Sequence, residues 1–166
     1  MILVIDALNR HRFGSVIDDM FKLRARVFHD RMGWDVTVRN GREFDLFDDL
    51  DPAYLVALDD DYNVVGCNRM LQTTGPHMLT DVFQDILCGI SDVISVVDPA
   101  MDRILKRCDN APYGYLGETV QMGKTKALAA LSDITEERIA RIRNFAGITG
   151  DIFADENEVA DALAAR

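Results

Sequence analysis

The sequence predicts a mixed α/β fold built as one domain of 166 residues. Three observations carry that expectation: strand-like runs separated by turn residues in the first half, an apolar run at Asp92–Val97 followed at once by a helical pattern, and a length that suits a single core. The composition agrees, since 48% hydrophobic with 28% charged residues is ordinary for a soluble globular chain. The longest apolar runs are far too short to span a bilayer, so no membrane partner is expected.

Residues 2–6 form an apolar run that reads as a first strand. Ser15 with Asp18 three residues later reads as a capping box. It opens a helix whose apolar positions are Ile17, Met20, Phe21, Val27 and Phe28, ending near Gly33. Residues 54–58 and 63–71 are strand-like on either side of a polar turn, which is the logic of a hairpin. Pro76 breaks the chain, and residues 80–87 suggest a short helix. The run Asp92–Val97 reads as a buried central strand, and Pro99 then opens a helix through residue 107 at its favoured first position. Residues 113–122 suggest another strand. Residues 135–145 suggest an amphipathic helix with Ile139 and Ile142 on one face and Arg138 and Arg141 on another. The end of the chain, rich in Glu and Ala, suggests a loosely attached helix. The expected organisation is one domain over 1–166, with a first half at 1–88, an α/β half at 90–150 and a tail at 151–166.

Acidic residues outnumber basic ones 28 to 18, a formal charge of −10, which repels polyanions and argues against nucleic acid. Carboxylates crowd residues 43–61, while basic residues recur at 103–107 and 138–143, a local face suited to an acidic partner. Cys67, Cys88 and Cys108 are odd in number without C-x-x-C spacing, and no signal peptide is apparent, so a reducing cytoplasm is the expected location. His11, His29 and His77 lack metal-ligand spacing, and no metal site is expected.

Arg24 is the most informative residue. Its spacing from Ile17, Phe21 and Phe28 puts a charge inside the apolar stripe, where a guanidinium needs carboxylate partners. Glu43, Asp45 and Asp48 are the candidates; the structural alternative is an ordinary ion pair or a snorkelling arginine. Trp34, the only tryptophan, follows Gly33 and suits either a core or lid position or a wall for a cationic ligand. The stretch GETVQMGKT, residues 117–125, is not a P-loop, because five residues separate Gly117 from Gly123 where that loop has four. The Asp-rich runs lack the spacing of a calcium loop.

Taken together, Arg24, Phe28, Gly33-Trp34, Glu43, Asp45, Asp48, Gly66, Arg69 and the segment Thr73-Thr74-Gly75-Pro76-His77-Met78-Leu79 resemble the N-terminal half of the acyl-homoserine-lactone synthases, the bacterial autoinducer synthase family. The resemblance covers residues 1–88 most strongly. It implies an acyl-CoA N-acyltransferase-like mixed sheet flanked by helices. It also implies an acyltransferase acting in quorum sensing, in which the amine of S-adenosylmethionine attacks an acyl thioester and the methionyl carboxylate closes the lactone, expelling methylthioadenosine. The acyl donor implied is acyl-carrier protein or acyl-CoA. S-adenosylmethionine is then a co-substrate, with no prosthetic group. By the same resemblance Arg24, Asp45, Asp48 and Arg69 match the family's charged cluster, and Phe28 and Trp34 its aromatic positions. The sulfonium and ammonium of the ligand are two positive centres, for which Asp45 and Asp48 supply charge and Trp34 a π face. Arg24 would hold those carboxylates.

The chain departs from the family after Leu87-Cys88-Gly89, which runs directly into Ile90-Ser91-Asp92. A strand carrying Glu-Ser-x-Arg-Phe and the helix after it are expected there, so one strand and helix block is missing. That block carries the family's proposed general-base glutamate, and the catalytic residue of this chain is left unassigned. Two readings follow: a synthase, or a homologue that binds without transferring acyl groups. Loss of the block exposes strand edges, which implies either a homodimer completed through this region or a marginally stable monomer. A general N-acetyltransferase fits less well, for want of a Gly-rich pyrophosphate turn ahead of a helix.

Overall fold

The computed structural model describes residues 1–71, 92–133 and 135–165. The chain divides into two compact units, Met1–Arg31 with Asp35–Leu87 and Ile152–Arg166, and Met32–Trp34 with Cys88–Asp151. The expected segment at 73–79 and the short helix at 80–87 lie outside the described residues.

The first unit is a three-stranded antiparallel sheet in the order β1-β4-β5, with β1 at Ile2–Ile5, β4 at Ala53–Leu58 and β5 at Val64–Met70. The hairpin expected around residues 59–62 is present, closed by Asp59, whose carboxylate accepts from the backbone N–H of Asp61 and Asn63. Alternation along β1 and β4 turns Leu3, Ile5, Tyr54, Val56 and Leu58 inward. Helix α1, Gly14–Arg24, supplies Val16, Met20 and Phe21 to the same core, and Phe13 anchors its start. The expected capping box at Ser15 does not form. Phe13 is the N-cap, without a side-chain hydrogen bond, because burying its ring sets where the chain enters the helix. The helix then widens into a π-helix over Ala25–Arg31. Between α1 and β4 lie two short strands, β2 at Val38–Arg39 and β3 at Arg42–Glu43, and a 3₁₀ turn at Leu46–Asp49.

The chain's end is not loosely attached. Ile2 donates to the Ile152 carbonyl and Ala154 donates to that of Ile2, both at 2.8 Å, so this segment runs parallel beside β1. Helix α4, Glu156–Ala164, buries Val159 in the core. A Val, Ala and Leu stripe at 159, 160 and 163 outweighs the acidic composition.

The second unit holds β6 at Asp92–Val97, helix α2 at Pro99–Arg107, β7 at Gly114–Met122, β8 at Thr125–Asp133 and helix α3 at Glu136–Ala146. Its strands pair antiparallel in the order β6-β8-β7. Strand β8 escapes a sequence reading because its Ala, Leu and Lys residues favour helix; pairing on both sides overrides that preference. Asp98 and Thr135 cap α2 and α3, accepting from Met101 and Arg138 respectively. Two expectations are corrected. Strand β6 is an edge among the described residues, with Val96 53% exposed, and is not a buried central strand. On α3, Arg138 is buried and Ile139 exposed, contrary to the expected amphipathic faces, whereas Ile142 is half-buried and Arg141 exposed as expected. The Arg138 guanidinium is drawn inward by Asp133, Asn110 and the Ala111 carbonyl.

Candidate functional site

The charged residues of the first unit converge because three local structures aim them at one point. Arg24 projects from the last turn of α1. Asn40 and Gly41 join β2 to β3 with φ of 52° and 74°, the left-handed pair that a two-residue hairpin turn requires, and the returning strand delivers Glu43. Asp45 and Asp48 form a reciprocal capping box on the 3₁₀ turn: Asp45 accepts from the Phe47 amide at 2.8 Å, and Asp48 Oδ2 accepts from the Asp45 amide at 2.9 Å. Tyr54 on β4 stands opposite Arg69 on β5.

Arg24 Nε donates to Glu43 at 2.6 Å and Nη1 to Asp48 Oδ1 at 2.8 Å, with Nη2 3.6 Å from Asp45. The expected pairing of Arg24 with Asp48 is therefore present. Arg69 grips Asp45 with both Nη atoms, at 2.6 and 2.8 Å, and also reaches Asp48 Oδ1 at 2.8 Å. Tyr54 Oη donates to that same oxygen at 2.7 Å. Phe21 and Phe47 lie against the Arg24 and Arg69 guanidinium groups at 5.4 and 5.5 Å.

Burial sorts these residues by accessibility. The side chains of Arg24 and Asp48 are each 6% exposed and that of Glu43 2%, whereas Asp45 is 34% exposed. Burial works against ionised Asp48. The hydrogen bonds from Asp45, Tyr54, Arg24 and Arg69 outweigh it and hold the carboxyl below its usual range. For Glu43 the balance falls the other way: burial pushes its carboxyl up despite Arg24. Burial also opposes the charge on Arg24 and Arg69, but their carboxylate partners hold both pKa values up. Burial and donation to Asp48 raise the Tyr54 phenol. Two guanidinium groups face three carboxylates, leaving one negative charge in excess when all are ionised, and Asp45 is the carboxylate that reaches solvent. Phe21, Phe44 and Tyr54, with Arg10, Asp48 and Asp49, line a cleft of about 210 Å³. That is below the roughly 300 Å³ at which ligand pockets begin.

Of the six residues singled out by sequence, Arg24, Asp45, Asp48 and Arg69 meet directly. Phe28 lies on the π-helix of the first unit and Trp34 belongs to the second. Tyr54 was missed as a member of the cluster. Its signal was present, since alternation with Val56 and Leu58 puts a phenol on a buried face, where it needs a partner. The Asn40-Gly41 turn that delivers Glu43 was also legible and overlooked.

The autoinducer synthase family model matches residues 9–91 and 88–142. The chain belongs to the autoinducer synthase family. An acyl-homoserine-lactone synthase of Agrobacterium fabrum is 40% identical over 177 aligned positions that take in 77% of this chain and 83% of the relative. A probable acyl-homoserine-lactone synthase of Sinorhizobium fredii is 52% identical over 86 residues, or 52% of this chain. In that match the chain spans only 41% of the relative's length. Among solved structures, the CoA-dependent acyl-homoserine lactone synthase MesI superposes with a TM-score of 0.75, covering 93% of this chain and all of that one at 22% identity. BjaI, an acyl-homoserine lactone synthase solved with SAM and isopentyl-CoA, has a TM-score of 0.74 over 99% of both chains, also at 22% identity. The likeness establishes the expected N-acyltransferase-like fold for this autoinducer synthase family member. No helix among its described residues is long and apolar enough to cross a membrane.

Proposed function

We propose that this chain is an acyl-homoserine-lactone synthase whose S-adenosylmethionine site is organised by the cluster of Arg24, Glu43, Asp45, Asp48 and Arg69. The observation that carries the proposal is Asp45, the most exposed carboxylate of the cluster, held in place by both arginines. Asp45 meets the cationic end of the ligand. Asp48 is too enclosed to do so, and its role is to fix Arg24 and Arg69. Phe28 and Trp34 are assigned to the ligand by family resemblance, as aromatic walls.

In the reaction, the amine of S-adenosylmethionine attacks the thioester carbonyl of an acyl-CoA or acyl-carrier protein, forming the amide and releasing the thiol. The methionyl carboxylate then attacks the γ-carbon, breaking its bond to sulfur and releasing methylthioadenosine with the lactone. The work takes place in the cytoplasm, and its product is a quorum-sensing signal. No catalytic base is assigned.

A second reading has a specific observation behind it. The family matches to residues 9–91 and 88–142 meet at residues 88–91, and the A. fabrum alignment uses more positions than this chain contributes. Both support the loss of a strand and helix block near Gly89. On that reading the chain binds S-adenosylmethionine without acyl transfer, and a second copy pairs with it through the exposed strand edges.

Incubating the protein with S-adenosylmethionine and a panel of acyl thioesters, followed by mass spectrometry, tests both. Homoserine lactones with equimolar methylthioadenosine support the synthase. Binding without either product supports the second reading.

A further inference from the structure

The cleft shares Asp48 and Tyr54 with the charged cluster, yet it holds two groups that the cluster does not use. It lies wholly within the first unit: Ile17 and Phe21 come from α1, Phe44 follows β3, Asp49 closes the 3₁₀ turn and Tyr54 stands on β4. Its apolar part is largely aromatic. The Phe21 ring lies 4.2 Å from that of Phe44, tilted by 43°, and 6.0 Å from that of Tyr54, edge on. Such rings offer a planar ligand both offset and edge-on partners. The volume of about 210 Å³ suits a single ring with a small substituent. An apolar cavity of about 150 Å³ already takes up benzene.

The polar part supplies one donor and one acceptor. Arg10, on the 3₁₀ turn Arg10–Arg12, lines the cleft. Its Nη2 donates to the Pro52 carbonyl at 3.2 Å and its Nη1 to Asp51 at 3.5 Å, while Nε is buried and has no acceptor among the described residues. A buried N–H without a partner is costly, and this guanidinium cannot turn Nε to water without giving up the bonds its Nη atoms make. The exposed Asp49 carboxylate is likewise without a partner among the described residues. Asp48, by contrast, spends both oxygens on the cluster, and Tyr54 spends its proton on Asp48.

We propose that this cleft binds a small uncharged aromatic molecule carrying an acceptor for Arg10 Nε and a donor for Asp49, the chemistry of an aromatic primary amide. The ring packs among Phe21, Phe44 and Tyr54, the amide oxygen accepts from Nε, and the amide nitrogen donates to the carboxylate. An anion would gain Arg10 and face Asp49, and a cation the reverse, so neither satisfies both groups.

Titration of the whole chain with benzamide, followed by nuclear magnetic resonance at the Arg10 Nε–H signal, tests this. The expected result is saturable binding on the order of 1 mM or tighter, with the Arg10 signal moving in step, and benzoate binding at least tenfold more weakly. Arg10→Lys keeps a positive charge beside Asp51 and Pro52 but has no Nε, and Asp49→Ala removes the acceptor; each should weaken benzamide binding about tenfold. Should Arg10→Lys fail to fold by circular dichroism, Asp49→Ala decides, because that side chain is exposed and holds no other residue. No saturable binding of benzamide up to its solubility limit in folded protein overturns the proposal. So does wild-type affinity in folded Asp49→Ala, or benzoate binding as tightly as benzamide. None of these measurements uses S-adenosylmethionine, so the synthase reading stands or falls separately.

Discussion

Tyr54 donates to the same oxygen of Asp48 that receives Arg24 and Arg69, so one carboxylate oxygen takes three donors at 2.7, 2.8 and 2.8 Å. With its other oxygen accepting from the Asp45 amide, Asp48 has both oxygens engaged inside the cluster. It is the fixed point from which two arginines reach forward to a more exposed Asp45.

Replacing Asp48 with Asn should therefore unfold the site. Removing one charge from a buried pair costs about 3 to 5 kcal/mol, because it strands its partners. Glu43→Gln should cost less at neutral pH. The fold already disfavours ionised Glu43, and a glutamine oxygen still accepts from Arg24 Nε. Chemical unfolding of the two variants at pH 7 checks this order.

The Asp48 carboxyl titrates below its ordinary pKa of 3.8 in the folded protein. Its contribution to stability is fully present above that value and drains away as pH falls through the lower folded pKa. Tyr54→Phe removes one of the three donors, at a cost of about 1 kcal/mol. The folded pKa of Asp48 should then rise, and the midpoint of acid unfolding should move to higher pH than in wild type. An unchanged midpoint would mean that the phenol contributes nothing to the cluster.

At the other end of the chain, Val159 is fully enclosed by the first unit's core. Val159→Ala should lower the unfolding free energy by roughly 1 to 3 kcal/mol through the cavity it leaves. A loss near zero in urea unfolding would show that α4 is not part of the cooperative core.

The legible parts of the fold were those where one short pattern decides the outcome. Alternation along residues 54–58, the apolar run at Asp92–Val97 and proline at the first position of α2 each specified their element locally. Arg24 was legible for the opposite reason, as a charge in an apolar stripe whose partners had to be nearby. Strand β8 was hidden because the preference of Ala127 to Leu131 is helical, and its conformation is set by the strands on either side. Arg138 was misplaced because a helical pattern does not show that Asp133 and two loop residues reach into the face where it lies. The enclosure of Asp48 was not legible, because it arises from Tyr54 and Arg69 meeting on one oxygen.

The most direct measurement is calorimetric titration of the folded protein with S-adenosylmethionine, run beside Asp45→Asn. The account predicts saturable binding by the wild type and at least tenfold weaker binding by the variant, with the fold of both unchanged by circular dichroism. No heat of binding at millimolar ligand in folded wild-type protein, or equal affinity in Asp45→Asn, would contradict it.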